Sequence, residues 1–271
     1  MKLQVPGATL YYEVRGSGPV LLMMPGGPAD AGNFRHIAER LATDFTVVTY
    51  DPRGLSHSTL DAPVRDERIV EIFADDVHRL LTATAKEPAF VFASSGGAVI
   101  GLELAARHPE QVRTLVSHEP PAATLLPDPA RERAAMDEIV QTYRTAGIGP
   151  AMQKFMVQTR IGGGGPPPPQ GEPTPEEREA MAQRKRNMDF WLGHYFLAIG
   201  AYEPDFAVLK AGSARIVPAV GDKSRGQLAH EGGLRLAERL GTQAVVFPGA
   251  HGGFESDAAE FAVKLREVLR G

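Results

Sequence analysis

The sequence of 271 residues contains no cysteine and no apolar run of the length that crosses a membrane. Without cysteine, disulfide bonds, thiolate metal sites and a thiol nucleophile are all excluded. Apolar runs such as 20–24 have the length of a strand, whereas a membrane helix needs about 20 apolar residues. The N-terminal residues also lack the apolar stretch of a signal peptide, so we expect a cytoplasmic protein that does not act on a membrane.

Neither charge is in strong excess, since 29 basic and 33 acidic residues give a formal net charge of −4. This balance provides no electrostatic reason to expect binding to nucleic acid or to an anionic membrane. Hydrophobic residues make up 43% and charged residues 23% of the chain, which is typical of a globular domain. The length fits one large α/β domain or a domain with an insertion, and it leaves a homo-oligomer open.

Hydrophobic patterns predict an α/β core. Strands are predicted at residues 2–5, 9–14, 20–24, 45–50, 89–93, 112–116, 216–220 and 244–247. Helices with one apolar face are predicted at residues 34–41, 69–81, 97–107, 228–240 and 258–269. An antiparallel opening followed by alternating strands and helices predicts a mainly parallel, twisted sheet that is covered by helices on both faces.

Residues 121–213 break this alternation, because no convincing strand occurs there. The predicted helices of this segment lie at residues 130–145, 150–157 and 176–197. Four glycines followed by four prolines at 162–169 predict a mobile surface loop between the last two helices. We therefore expect a core formed by residues 1–120 and 214–271, with a helical cap inserted at residues 121–213.

A predicted strand, a sharp turn and a helix surround the best candidate nucleophile, Ser95. The turn reads Ala-Ser-Ser-Gly-Gly at residues 93–97, and a nucleophile elbow needs small residues two positions before and after its serine. Ser95 meets this requirement, whereas Ser94 has the bulky Phe92 two positions before it. The pattern favours Ser95, although Ala93 stands where the usual motif has glycine. A serine that caps the helix is the alternative.

His251 is the best candidate general base, since it lies in a glycine-rich loop after the last predicted strand. A loop at the carboxyl end of a parallel strand can reach the crevice formed where neighbouring strands end. Four other histidines fall on predicted helices, and His57, in the loop after the fourth strand, is the second candidate. A solvated loop histidine is the alternative, but a serine followed by a histidine near the C-terminus favours a catalytic pair.

Two carboxylates, Glu119 and Asp222, compete for the role of orienting this histidine. The usual place for the acid is the loop after the seventh strand, where Ser224 occupies the expected position and Asp222 comes two residues earlier. Glu119 follows the strand that should neighbour the strand of Ser95, and two prolines after it would stop that strand and stiffen its exit. We favour Glu119 because its strand should neighbour the strand of Ser95. A solvated charge at Glu119 and a turn cap at Asp222 are the alternatives.

Backbone N–H groups of Gly27 and Gly96 are the natural pair to stabilise a developing oxyanion. Gly27 belongs to a Pro-Gly-Gly turn at residues 25–27 after the third strand, and Gly96 directly follows the candidate nucleophile. An ordinary turn between strand and loop is the alternative. None of these roles requires a metal ion or a cofactor, so we expect neither.

Together, these segments resemble the α/β-hydrolase superfamily. The resemblance covers the whole chain, through residues 25–27, 51–54, 94–97, 118–120 and 248–251. The Ser-Ser-Gly turn, the His-Glu-Pro strand end and the Pro-Gly-Ala-His loop look most like zearalenone-hydrolase-type lactonases. That resemblance implies an eight-stranded sheet with an inserted cap and a triad of Ser95, Glu119 and His251, because this subgroup takes its acid from a glutamate after the sixth strand.

The single tryptophan, Trp191, occupies a cap position that resembles a substrate-contacting position of those lactonases. Packing of the cap helix beside Phe190 is an equally good interpretation. The variable cap leaves the substrate open.

We expect a serine hydrolase that cleaves a small-molecule, apolar carboxylic ester or lactone through an acyl-enzyme. A cofactor-free oxygenase, a perhydrolase or a hydrolase of carbon–carbon bonds can use the same scaffold and triad. A ligand receptor of hydrolase ancestry is the alternative outside enzymes.

Overall fold

One twisted sheet runs through the chain. The computed structural model describes residues 1–64, 66–161 and 172–271, and the predicted glycine–proline loop at 162–169 lies outside these residues. The strands are β1 Lys2–Val5, β2 Ala8–Arg15, β3 Val20–Met24, β4 Thr46–Tyr50, β5 Thr59–Leu60, β6 Ala89–Ser94, β7 Val112–His118, β8 Arg215–Gly221 and β9 Val245–Phe247.

The strands pair in the order β1-β2-β4-β3-β6-β7-β8-β9, and the short β5 pairs with β2. β2 is antiparallel to both β1 and β4, whereas every pairing from β4 through to β9 is parallel. The predicted mainly parallel sheet is therefore confirmed. The predicted eight strands are all present, and only β5 was missed, because its two exposed residues carry no hydrophobic pattern.

Helices cover both faces of this sheet, so its central strands are buried on both sides. All six residues of β6 are buried, for example. The helices are α1 Arg35–Leu41, α2 Ile69–Thr84, α3 Gly96–Arg107, α4 Pro129–Ala146, α5 Ile148–Thr159, α6 Pro175–Phe190, α7 Phe196–Ala201, α8 Phe206–Ala211, α9 Leu228–Leu240, α10 Gly253–Ser256 and α11 Ala258–Arg270. α1 and α11 pack on one face, and α2 and α3 pack on the other.

Between β7 and β8, the described residues form helices α4 to α8 and no strand. The helix predicted at 176–197 is interrupted, because α6 ends at Phe190 and a π-helical turn, Trp191–Tyr195, precedes α7. A π-turn adds a residue to the turn, but residues 190–197 are apolar on almost every side, so no periodic pattern in the sequence reveals it. The short α8 was also not predicted. The division into a core and a cap at residues 121–213 stays a prediction.

Asn187 fastens α6 to the loops that follow β3 and β4. Its buried amide donates hydrogen bonds to Pro28 O at 3.1 Å and Ser56 Oγ at 2.9 Å, and its oxygen accepts from Ser56 N at 2.9 Å. A buried amide is costly to leave unpaired, so these bonds fix the height of α6 above the sheet edge.

Arg53, in the loop after β4, forms a buried ion pair with Asp76 of α2. The distances are 2.7 Å from Nε to Oδ2 and 2.5 Å from Nη2 to Oδ1, a bidentate geometry. The pair anchors the loop of residues 51–58 to helix α2.

His118, the last residue of β7, is completely buried against Phe92, Phe247 and Phe261. Its Nδ1 lies 3.3 Å from Ser94 Oγ, and in the described part of the chain its Nε2 has no hydrogen-bond partner. Burial lowers the pKa of His118 from 6.5 to about 4, so the ring is neutral at neutral pH.

We expect His118→Phe to weaken the dependence of stability on pH between pH 7 and pH 4. In this range the unfolded chain binds a proton at residue 118 and the folded protein does not. The free energy of unfolding therefore falls as the pH falls, by at most about 1.4 kcal/mol per pH unit from this group. Phenylalanine cannot take up a proton, so that part of the slope should disappear in urea unfolding at pH 7, 6 and 5.

His36→Phe is the matched control, because His36 is an exposed histidine of α1. This variant should keep the wild-type slope. An unchanged slope in His118→Phe would show that His118 is not held neutral by the fold.

Candidate active site

The candidate residues follow strands whose carboxyl ends meet at one edge of the sheet. Gly27 comes after β3, Ser95 after β6, Glu119 after β7 and His251 after β9. β3, β6 and β7 are direct neighbours in the sheet. Parallel strands end on the same side, so the loops after them enclose a common crevice.

Ser95 forms a strained turn between β6 and α3, with φ of 57° and ψ of −126°. Positive φ is rare for residues other than glycine, and such strain is tolerated where the surroundings determine the backbone completely. An added Cβ at Gly97 would lie 2.5 Å from Pro25 O, and one at Gly26 would lie 2.7 Å from Ser95 Cβ. The turn therefore fits only because glycine stands at both positions.

His251 and Glu119 form a hydrogen-bonded pair, with 2.6 Å between His251 Nδ1 and Glu119 Oε2. The Glu119 side chain is completely buried, and the His251 side chain is 20% exposed. Glu119 also has a positive φ of 52°, which is rare for residues other than glycine. A carboxylate that accepts the Nδ1 proton leaves Nε2 of the imidazole as the basic atom.

Glu119 keeps its negative charge although it is buried. Burial raises the pKa of this carboxyl, but the hydrogen bond from His251, the electrostatic influence of the His118 and His251 rings and the hydrogen bond from Gly221 N outweigh it and hold the pKa at about 2. Gly221 N lies 2.8 Å from Oε1, and the Ser224 hydroxyl donates to the same oxygen. Because its charge is satisfied by donors, Glu119 stays ionised across the ordinary pH range.

Asp222, the other candidate acid, has a different contact. Its exposed side chain accepts a hydrogen bond from Gly249 N at 2.7 Å. This bond closes the turn after β8 on the loop that carries His251. Of the two candidate acids, the structure brings Glu119 to the histidine and places Asp222 in a turn.

Ser95 and His251 both line a cavity of about 280 Å³. Within the described residues, no hydrogen bond joins the Ser95 hydroxyl to the imidazole, a bond that often forms only when substrate is present. The large apolar side chains of the cavity wall are those of Phe34, Met136, Met152, Phe155, Ile161, Met188, Trp191, Phe196, Ile199, Leu228 and Phe254. A concave, mainly apolar wall with a few polar groups at one end is typical of a site for a small molecule.

His57, the second histidine candidate, lies away from this arrangement. Its side chain is 73% exposed, and its Nδ1 is 2.9 Å from Asp51 Oδ2. The residues that line the cavity do not include it.

Gly27 and Gly96 lie side by side at the cavity. An added Cβ on Gly96 would be 3.5 Å from Gly27 N. Gly27 has φ of 58°, and its carbonyl accepts a hydrogen bond from the buried hydroxyl of Tyr195. Burial raises the pKa of Tyr195, so this hydroxyl keeps its proton and remains a donor.

Trp191 both packs against the helices between β7 and β8 and lines the cavity. Its ring is perpendicular to Phe155 at a centroid distance of 5.2 Å, and it makes a second edge contact with Phe196 at 5.1 Å. The same ring forms part of the cavity wall. The two interpretations of this tryptophan are therefore compatible.

Sequence reasoning missed the hydrogen bonds of Ser224, His230 and Tyr195. Ser224 Oγ lies 2.9 Å from His230 Nδ1, behind the acid, and Tyr195 contacts the glycine turn from the far side. The available signal was the position of His230 in the first turn of a helix that follows the Ser224 loop. That position directs a polar side chain to the end of β8.

Within residues 1–64, 66–161 and 172–271, no three histidine, aspartate or glutamate side chains are grouped so that they could hold a metal ion. No helix in these ranges combines the length and the apolar character that spanning a membrane requires.

Comparison with known proteins identifies the family. The model of the alpha/beta hydrolase fold matches residues 19–150. The uncharacterized hydrolase YraK of Bacillus subtilis (strain 168) is 38% identical over 275 residues, which cover 98% of this chain and 94% of YraK. Zearalenone hydrolase of Bionectria ochroleuca is 31% identical over 121 residues, which cover 44% of this chain and 46% of that protein.

Among solved structures, the enol-lactonase from Burkholderia xenovorans LB400 has a TM-score of 0.72 and 18% identity, with 100% of both chains covered. Identity this low shows the fold alone. The relationship to YraK extends over nearly the whole of both chains. This chain is therefore an enzyme of the α/β-hydrolase family.

Proposed function

We propose that this enzyme is a serine hydrolase that cleaves a small, apolar carboxylic ester or lactone through an acyl-enzyme. The observation that carries the proposal is the buried, ionised Glu119 bonded to His251, at a cavity that the strained Ser95 also lines. A paired histidine with a basic Nε2 beside a serine is the arrangement that activates a hydroxyl nucleophile.

In the proposed reaction, Ser95 Oγ attacks the carbonyl carbon of the substrate while His251 Nε2 takes the serine proton. The N–H groups of Gly27 and Gly96 stabilise the negative oxygen of the tetrahedral intermediate. His251 then gives its proton to the departing alkoxide, which remains in the same molecule when the substrate is a lactone. Water, activated by His251, releases the acyl group from Ser95 and restores the enzyme.

The apolar cavity wall supports an apolar substrate, because burial of nonpolar surface supplies most of the binding energy in such a site. The names of two similar proteins, a zearalenone hydrolase and an enol-lactonase, support lactones as one substrate class. We further propose that residues 121–213 form the cap that selects the substrate, since most of the apolar wall comes from this segment.

We expect Ser95→Ala to lose turnover of esters and lactones by at least about a thousandfold, because the nucleophile is removed. A fluorophosphonate should label the wild type at Ser95 and should not label the variant. Circular dichroism would verify that the variant is folded. Full turnover by a folded Ser95→Ala protein would exclude the proposed mechanism.

The two candidate acids can be separated by matched amide substitutions. Glu119→Gln should lower kcat by about ten-thousandfold, because the amide no longer accepts the Nδ1 proton and the wrong histidine tautomer is stabilised. Asp222→Asn should change kcat by less than about threefold, since the exposed side chain can still accept from Gly249 N. Steady-state kinetics decide between them, and an impaired Asp222→Asn beside an active Glu119→Gln would reverse the assignment.

Trp191→Ala should widen the cavity and shift the preference toward bulkier acyl groups. We expect the ratio of kcat/KM for a branched over an acetyl ester to rise by about tenfold. Phe190→Ala is the control, because this neighbouring aromatic packs on Gly54 and is not among the residues of the cavity wall. An equal change of the ratio in both variants would mean that Trp191 acts only through cap packing.

A further inference from the structure

The two oxygens of the Glu119 carboxylate have different hydrogen-bond partners. Oε2 faces His251, while Oε1 accepts from Gly221 N and from the Ser224 hydroxyl. Behind Ser224 lies a second histidine, with 2.9 Å between Ser224 Oγ and His230 Nδ1. Ser224 is completely buried and His230 is 8% exposed, so this chain of polar atoms is largely removed from water.

The protons available on Ser224 and His230 determine which group donates each of these hydrogen bonds. Ser224 has one hydroxyl proton and three possible acceptors within reach: Glu119 Oε1, Gly221 O at 3.0 Å and, when it carries no proton, His230 Nδ1 at 2.9 Å. The ionised carboxylate is the strongest of these acceptors, so the proton points to Glu119. A hydroxyl that donates there can only accept from His230, and His230 must therefore carry its proton on Nδ1.

The other tautomer of His230 would reverse this arrangement. An Nδ1 without a proton would compete for the Ser224 hydroxyl and draw it away from Glu119. Since Nδ1 of His230 is 3.6 Å from Oε1, an unprotonated nitrogen there would also place a lone pair close to the buried negative charge. One proton on one ring atom thus decides whether Oε1 keeps its side-chain donor.

Helix α9 is packed tightly enough to hold His230 at this place. An added Cβ at Gly232 would lie 2.1 Å from Pro120 O, and one at Gly233 would lie 3.0 Å from Ala219 O. The N-terminal half of α9 therefore rests directly on the backbone of Pro120, next to Glu119, and on that of β8. Its N-terminal end also favours a nearby negative charge.

We infer that Ser224 and His230 are positioning residues of the hydrolytic reaction: the Nδ1 proton of His230 directs the Ser224 hydroxyl to Glu119, which then holds His251. This inference rests on the proposed function, because it gives Glu119 the role of the triad acid. The histidines that surround Glu119 in the described structure are His251, His230 and His118, and the loop of Ser224 adds the exposed Asp222 and Lys223.

Substitution of Ser224 or His230 should leave substrate binding unchanged and should alter the pH dependence of catalysis. The residues that line the cavity include neither Ser224 nor His230, so substrate binding should not change when they are substituted. Loss of a donor makes the Glu119 carboxylate more basic. The pair of Glu119 and His251 would then take up a proton at higher pH, which a purely structural role would not cause.

The test compares variants that keep or remove the critical N–H group. Asparagine places its amide nitrogen near the position of Nδ1, whereas glutamine reaches the position of Nε2. Ser224→Ala and His230→Gln should lower kcat by about tenfold with KM unchanged, and they should move the acid limb of kcat/KM to higher pH. His230→Asn should keep the wild-type kcat and acid limb.

Ser117→Ala is the matched control, because Ser117 is a completely buried serine of β7 whose hydroxyl has no hydrogen-bond partner within the described residues. This variant should keep both kcat and the acid limb. If Ser224→Ala behaves like Ser117→Ala while Ser95→Ala is inactive, this inference fails and the proposed function stands. If Ser95→Ala keeps full turnover, the proposed function itself fails.

A measurement without substrate tests the same proton directly. Long-range ¹H–¹⁵N correlation spectra of the wild type, assigned with His230→Asn, report which ring nitrogen carries the proton. We expect the Nδ1–H form for His230. The Nε2–H form would overturn the inference whatever the kinetics.

Discussion

A negative charge buried at the end of β7 is the constraint on which the site depends. A carboxylate taken out of water is stable only where donors replace its hydration, and Glu119 obtains them from His251, Gly221 and Ser224. Each donor comes from a different part of the chain. Strand β8, the loop after it and the loop after β9 must therefore all be in place before the carboxylate can be accommodated.

Close backbone approach is the second requirement, and glycine provides it. Gly97 lets α3 begin directly against the turn after β3, and Gly232 lets α9 rest on the Glu119 turn. The elbow accepts Ala93 in place of the usual glycine because α3 presents Gly101 opposite, where an added Cβ would lie 3.2 Å from Ala93 Cβ. The departure from the motif is thus matched by a small residue one turn along the helix.

Most of the sheet and the placement of the main candidates could be predicted from sequence. Buried parallel strands leave continuous apolar runs between turns, and the residues that follow them converge at one edge for geometric reasons. The π-helical turn at Trp191–Tyr195 could not be predicted, because the nearly continuous apolar residues there have no periodicity that a shifted turn would interrupt. The position of His230 in the first turn of α9 was a signal, but its role depends on the tertiary packing that brings its ring to Ser224.

Tyr195 and Asn187 attach the helices between β7 and β8 to the loop after β3 through hydrogen bonds, in addition to apolar packing. One hydrogen-bonds the carbonyl of Gly27, and the other hydrogen-bonds the carbonyl of the adjacent Pro28. Residues 27 and 28 thus both line the cavity and accept the hydrogen bonds that hold these helices in place. A change in these helices that removes either polar contact would therefore also disturb the loop that lines the pocket, so the attachment of the helices and the shape of the pocket cannot vary independently.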